Sequence, residues 1–255
     1  MKKQIPNVFT LLNLIFGCWA IVSVLQKGIV VAEGYDGTQF MDMPEDICMA
    51  SLFIGLAALV DFLDGFVARL FKATSEMGKQ LDSLADVVSF GVAPSMILFQ
   101  FLRMSYAAQE NGIQISRVYL LPTFFVAASA AYRLAKFNLD PSQQKVFKGM
   151  PTPAVGLLIA SFPMIYWHSQ NAFVINVLLN KWFLYSLIVL VSWLMLSNIS
   201  MMALKFNSFG WKENIPKLIL LIASVLLIIF LKWIAVPIIF TIYIILSLLY
   251  RNQIS

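Results

Sequence analysis

Charge is scarce in this chain. Asp, Glu, Lys and Arg make up 12% of its 255 residues, against 60% hydrophobic residues and a mean hydropathy of +0.82. Soluble domains carry roughly 25% charged residues, so this composition excludes a soluble domain of that length and places the chain in a bilayer. Cysteine is nearly absent too. Cys18 and Cys48 lie singly on apolar stretches, without C-x-x-C spacing or a partner histidine, which leaves neither a disulfide framework nor a zinc site. The one histidine, His168, follows Trp167 and reads as an interfacial residue rather than a ligand. The formal charge of +5 comes with no aromatic-basic module, so no nucleic-acid partner is expected. Neither an internal repeat nor a low-complexity segment breaks the chain, and residues 1–255 read as one membrane-embedded domain. Lys2 and Lys3 precede the first apolar run without a small-residue cleavage site, so that run is expected to be retained as a span.

What the chain has in abundance is long apolar runs. Segments of spanning length, about 17–25 residues, fall near 6–26, 47–73, 79–102, 118–138, 152–170, 175–197, 215–232 and 234–250. The expected fold is an all-α integral membrane protein of about eight transmembrane helices, with Lys232, Trp233 and Pro237 marking the last turn. Basic residues orient it. With the N-terminus inside, thirteen of the 18 Lys and Arg are cytoplasmic, and only Lys27, Arg103, Arg117, Lys181 and Lys232 face out, as the positive-inside rule requires. The 27–47 connection carries Glu33, Asp36, Asp42, Glu45 and Asp46 without EF-hand spacing, and is expected to be a solvated outer loop. Trp182, Trp193, Trp211 and Trp233 include candidate interfacial anchors.

Four carboxylates contradict this apolar background. Asp61, Asp64, Asp82 and Asp86 occur within D-F-L-D-G-F-V-A-R-L-F-K-A-T-S-E-M-G-K-Q-L-D-S-L-A-D, and each ionised acid at membrane depth costs about 2.5–3.5 kcal/mol or more. Arg69 offsets only one of them. One or two divalent cations would offset the rest, and hard oxygen donors without nearby His or Cys favour Mg²⁺, Mn²⁺ or Ca²⁺. Spacing supports a single site. At about 100° per residue, Asp61, Asp64, Gly65, Ala68 and Arg69 share an arc of roughly 140°. Gly78, Asp82, Asp86, Ser89 and Ala93 form a narrower stripe, and the T-S-E-M-G link can fold the two helices antiparallel.

The stretch fits D-x2-D-G-x2-A-R-x8-G-x3-D-x3-D without a gap, through Asp61, Asp64, Gly65, Ala68, Arg69, Gly78, Asp82 and Asp86. That pattern resembles the signature of the CDP-alcohol phosphatidyltransferases, integral membrane enzymes that build phospholipid head groups. The resemblance implies a helical bundle of that family's kind, two ions of Mg²⁺ or Mn²⁺ on the four Asp, and Asp86 as general base. It also implies contacts to a CDP-lipid from Gly65, Ala68, Arg69, Ser75 and Gly78, and a homodimer; the basic residues put the active site on the cytoplasmic face. By residue type alone, Ser75 is equally a plain interhelical turn.

Two further stretches extend the likeness. In I-P-N-V-F-T-L-L-N-L, Asn7 and Thr10 share a helix face after Pro6 and read either as caps or as site residues; the family's P-N-x-x-T segment lines the nucleotide pocket. R-L-A-K-F-N and F-K-G-M-P-T-P-A resemble segments of the family's serine-specific branch, with Lys136 and Met150 where Arg and Leu are commoner. On that likeness, CDP-diacylglycerol and L-serine are the expected substrates, and Arg133, Lys136 and Asn138 the acceptor contacts. Charge alone equally makes Arg133 and Lys136 positive-inside anchors. Other acceptors (glycerol 3-phosphate, inositol phosphate, choline) and, from a different class, a cation or proton transporter using the same acids stay open at this point. A non-catalytic scaffold does not, because it would not maintain four buried acids.

Overall fold

The computed structural model describes residues 5–26, 30–33, 39–71, 75–107, 116–139, 149–202 and 211–250. Lys2, Lys3, Lys27, Asp36, Lys72, Lys145, Lys148, Lys205 and Arg251 of the charge pattern lie outside them.

Helix α1 (Ile5–Gln26) buries Pro6, Thr10, Asn13, Gly17, Ala20 and Val24, a stripe at helical period in which every side chain is small or polar. Val8, Leu11, Ile15, Trp19 and Val22 cover the opposite face and are exposed, as lipid-facing residues should be. Helix α2 (Ile47–Leu70) buries Ile47, Ala50, Ser51, Ile54, Ala57 and Asp64 and packs along α1. The acids thus continue the stripe that docks α2 against its neighbours.

The central element is α3 (Glu76–Ala107), the most buried of the candidate spans. It is α-helical over Glu76–Asp86, opens into a π turn over Val87–Val92, and resumes over Ala93–Ala107. Phe90, Ile97, Leu98, Phe101 and Leu102 place its length in the core. The π turn is wedged on several sides. Ser89 Oγ donates to the Asn13 carbonyl at 3.0 Å, and Phe90 lies so close to Gly156 that a Cβ there would meet the Phe90 Cα at 3.1 Å. Such side-chain insertion is a recognised cause of a locally widened ladder.

Helix α4 (Arg117–Leu139) starts as a 3-10 segment through Phe124 and packs on the π turn and on α7. Helix α5 (Thr152–His168) packs against α2 and α3. A short α6 (Ala172–Leu178) meets α7 (Lys181–Leu196) at 61°. Asn180 makes that break: its Oδ1 accepts from the backbone N–H of Trp182 at 2.9 Å and starts a new helix. Helices α8 (Trp211–Leu231) and α9 (Ala235–Leu249) close the fold, their shared run only 11% buried and hence peripheral.

Two expectations change. The 27–47 connection, expected to be a solvated outer loop, is not all loop. Val30–Glu33 (β1) and Gln39–Asp42 (β2) pair antiparallel, from Val30 opposite Asp42 to Glu33 opposite Gln39, because Val30, Val31, Phe40 and Met41 carry strand propensity that the acidic residues masked. Among the described residues five helices are long and apolar enough to cross a membrane, or six with the bent α6–α7 pair as one, against the eight spans expected. Helix α5 has 17 residues, the short limit for crossing, and 215–249 is one helical run of 35 residues. That run is interrupted by a 3-10 turn at Lys232–Ile234, where Lys232 takes a φ of 50°. The all-α membrane character stands.

Candidate active site

The two halves of the acidic motif fold against each other. Oxygens of Asp61 and Asp64 on α2 and of Asp82 on α3 all lie within 4.8 Å of one another, which is the spacing of donors around a metal ion. Asp64 is buried, and Asp61 and Asp82 are half-buried. Asp82 Oδ1 is buried without a hydrogen-bond partner among the described residues. Three converging acids with such an orphaned oxygen fit a hard cation, which would satisfy that oxygen and remove the repulsion.

Asp86 stands one turn beyond Asp82. It does not belong to the triad, but its carboxyl faces those of Asp61 and Asp82 and is buried at 7% exposure. Asn13 Nδ2 donates to Asp86 Oδ1 at 3.1 Å. One turn earlier on α1, the Thr10 hydroxyl lies 2.8 Å from Asp64 Oδ2 and 3.2 Å from the Pro6 carbonyl. It carries one proton, and the shorter contact to the charged acceptor takes it. Helix α1 therefore contacts one acid from each half of the motif.

A cavity of about 540 Å³ opens beside the triad, a size suited to a small ligand. Pro6, Asn7 and Thr10 line it from α1, Asp64, Gly65 and Ala68 from α2, and Ser75, Glu76, Gly78, Lys79 and Asp82 from α3 and its cap. Asn7 and Thr10 lie inside α1, not at its cap, so the capping reading falls away. Ser75 is the N-cap of α3, its Oγ accepting from the Gly78 N–H at 3.0 Å, and it also lines the cavity. Gly78 is where α3 passes close to α1, since a Cβ there would sit 3.1 Å from Asn7 Oδ1. Arg69 is exposed and does not line the cavity; its guanidinium overhangs Gly65 at the rim, 3.6 Å from where a Cβ would stand.

The three acceptor candidates separate. Arg133 on α4 is buried, its charge interacts with Asp86 and with Tyr243 of α9, and its Nε has no hydrogen-bond partner among the described residues. Lys136 is exposed and donates to Asn198 Oδ1 at 3.0 Å. Asn138 is engaged twice, accepting from Lys79 Nζ at 3.2 Å through its carbonyl and donating to Ser83 Oγ at 2.8 Å. It clamps α4 to α3. The glycine of F-K-G-M-P-T-P-A has a backbone reason to be there. Gly149 takes a φ of 77°, and a Cβ would stand 2.6 Å from the Met195 carbonyl, so only glycine lets this segment dock on the end of α7.

Sequence reasoning passed over Asn13, Glu76 and Lys79. The signal for Asn13 was present in its position three residues after Thr10, on the stripe that already held Asn7 and Thr10.

The family model of the CDP-alcohol phosphatidyltransferases matches residues 3–194, which contain the triad, Asp86, the cavity and Arg133. The chain belongs to the CDP-alcohol phosphatidyltransferase family. Individual relatives narrow the likeness. The chain is 33% identical over 170 residues to the CDP-diacylglycerol–serine O-phosphatidyltransferase of Bacillus subtilis, covering 64% of this chain and 77% of that protein. The Helicobacter pylori (strain 26695) protein of the same name is 31% identical over 221 residues, 86% of this chain and 79% of its own. The Saccharomyces cerevisiae one is 36% identical over 165 residues, 61% of this chain and about half (52%) of the yeast protein. Helices α8 and α9 lie beyond the region that the CDP-alcohol phosphatidyltransferase model matches, and α9 nonetheless brings Tyr243 to Arg133.

Proposed function

We propose that this chain transfers the phosphatidyl group of CDP-diacylglycerol to the hydroxyl of L-serine, giving phosphatidylserine and CMP. The observation that carries the proposal is the convergence of Asp61, Asp64 and Asp82, of which Asp64 and Asp82 line a cavity together with Asn7, Thr10, Gly65, Ala68, Ser75 and Gly78. Those are the positions where the family likeness puts a CDP-lipid, and three relatives bear the name of this reaction. The triad, joined by Asp86, would hold two divalent ions, Mg²⁺ or Mn²⁺. Bound there, such ions neutralise the diphosphate and activate its phosphorus toward in-line displacement.

The chain's own residues do the rest. The small Gly65, Ala68 and Gly78 leave room at the backbone for the nucleotide, and Arg69 at the rim supplies positive charge to its phosphates. Asp86 takes the proton from the serine hydroxyl as its oxygen bonds to the phosphorus that carries the diacylglycerol; the bond from that phosphorus to the CMP oxygen breaks. Arg133, buried and near Asp86, receives the serine carboxylate, so one amino acid reaches both groups. Lys136 and Asn138 bound the acceptor side through Asn198 and Ser83 rather than by direct contact. A phosphate-bearing acceptor would call for a cluster of cations, and Arg133 is the buried cation here among the described residues. Residues 1–255 form one membrane domain in this reading, its cavity opens to the cytoplasm, and the chain works as a homodimer.

The test is CMP release from CDP-diacylglycerol by detergent-solubilised protein with Mg²⁺ or Mn²⁺. Serine should support release, and glycerol 3-phosphate, inositol phosphate and choline should not. Release with a different acceptor alone overturns the choice of serine, and no release with any acceptor overturns the enzyme reading in favour of a transporter.

A further inference from the structure

Asn13 is fully buried on α1 and reaches Asp86 with its amide N–H, 3.1 Å from Oδ1. The same residue is tied to Asp86's helix through its main chain: its carbonyl accepts from Ser89 Oγ at 3.0 Å, and Ser89 is itself fully buried in the π turn that begins immediately after Asp86. One turn further along α1, Gly17 lets Ser89 come this close, since a Cβ at Gly17 would collide with the Ser89 backbone at 2.9 Å. Two hydrogen bonds and a glycine thus set the register of α1 against the segment that presents Asp86. The far side of the Asn13 amide points to the same purpose. Its Oδ1 is buried and has no hydrogen-bond partner among the described residues. An amide kept only for packing would be replaced at no loss by an apolar residue of its size, and the uncompensated oxygen would go with it. The group that benefits from its presence is the carboxylate it donates to.

We infer that Asn13 is a positioning residue for Asp86: it holds one carboxylate oxygen and leaves the other to face the serine hydroxyl. This rests on the base role proposed above for Asp86. Thr10 performs a parallel task for Asp64 on the preceding turn. The two helix turns of α1 therefore orient two acids of the metal-holding group, one of which, Asp86, also moves the proton.

The experiment compares Asn13→Asp, which keeps size and shape but replaces the donor by an acceptor, with Asn13→Leu, which keeps volume and removes the amide. Each is made alone and with Asp86→Asn, in the full chain in detergent. Both single variants should lower kcat for CMP release on the order of 10²-fold, the scale of a misaligned reacting group, with KM for CDP-diacylglycerol unchanged. Asn13→Asp should be at least as damaging as Asn13→Leu, the reverse of what a packing role gives. In the Asp86→Asn background neither should lower the residual rate further, because a residue that acts through Asp86 has nothing left to position. Gel filtration and a CDP-diacylglycerol-dependent rise in melting temperature establish that each variant is folded; if one is not, the other decides. A wild-type kcat in the folded variant, or a full additional loss on top of Asp86→Asn, overturns the inference while the base assignment stands. Undiminished transfer by Asp86→Asn alone overturns the base assignment instead.

Discussion

At the scale of single residues, the site divides acids that share a centre from one that stands beside it. Asp61, Asp64 and Asp82 converge within 4.8 Å, whereas Asp86 takes its own donor from Asn13. Asp86→Asn is expected to cut head-group transfer by about 10²–10⁴-fold, the usual yield of a general base, while CDP-diacylglycerol binding persists. Steady-state kinetics alongside a binding titration checks both halves. Arg133→Ala should raise KM for serine by about 10- to 100-fold, the worth of a charge-assisted bond of about 1.5–3 kcal/mol, and leave KM for CDP-diacylglycerol near its original value. Equal changes in both constants would place Arg133 elsewhere in the reaction. The acids and the cavity glycines were legible because their spacing is fixed within one continuous stretch. For Asn13 the sequence offered only its place on the stripe of Asn7 and Thr10, because its partner Asp86 lies 73 residues away in sequence. The likeness that grouped Arg133, Lys136 and Asn138 could not tell a buried guanidinium near Asp86 from two groups already engaged by Asn198 and Ser83.

At the scale of elements, the decisive feature is α3, which changes from α to π and back within 32 residues. Periodicity alone reads this stretch as an ordinary helix, since a π turn shifts the register by one residue and leaves the apolar character intact. The break between α6 and α7 was hidden likewise in one apolar run, although Asn180 is a local capping signal. The glycine of the F-K-G-M-P-T-P-A stretch acts at this scale too. Gly149→Ala would force a Cβ toward the Met195 carbonyl at a φ of 77°. A cost of about 1–3 kcal/mol is expected for that strain, seen as a lower melting temperature in detergent. Transfer activity of the fraction that remains folded should hold, because Gly149 packs on the end of α7 and does not line the cavity.

At the scale of the whole molecule, the polar site sits within a fold whose outer surface is apolar. Phe62, Leu84, Ile229 and Phe230 are all exposed beside helices that bury Asp64, Asn13 and Arg133. Such an arrangement stores repulsion in the metal-free protein, where three carboxylates crowd one another. Adding Mg²⁺ or Mn²⁺ is therefore expected to raise the melting temperature in a concentration-dependent way, and EDTA to reverse it. Asp61→Asn should make the metal-free protein more heat-stable and remove most of the response to the ion, while abolishing CMP release. Differential scanning fluorimetry with and without ion separates these outcomes. A metal response unchanged by Asp61→Asn would remove that residue from the ion site.

The sequence by itself determined the class of environment and the chemistry of the centre, because composition alone sets the cost of a charge in lipid and the eight motif positions lie within 26 consecutive residues. Tertiary structure decided which three acids converge, which cation is buried near Asp86 and which residue of α1 reaches Asp86. Those are matters of helix register across the bundle, and register is set by close contacts such as Gly17 with Ser89 and Gly156 with Phe90. They join segments far apart in the chain, where the order of residues carries no distance.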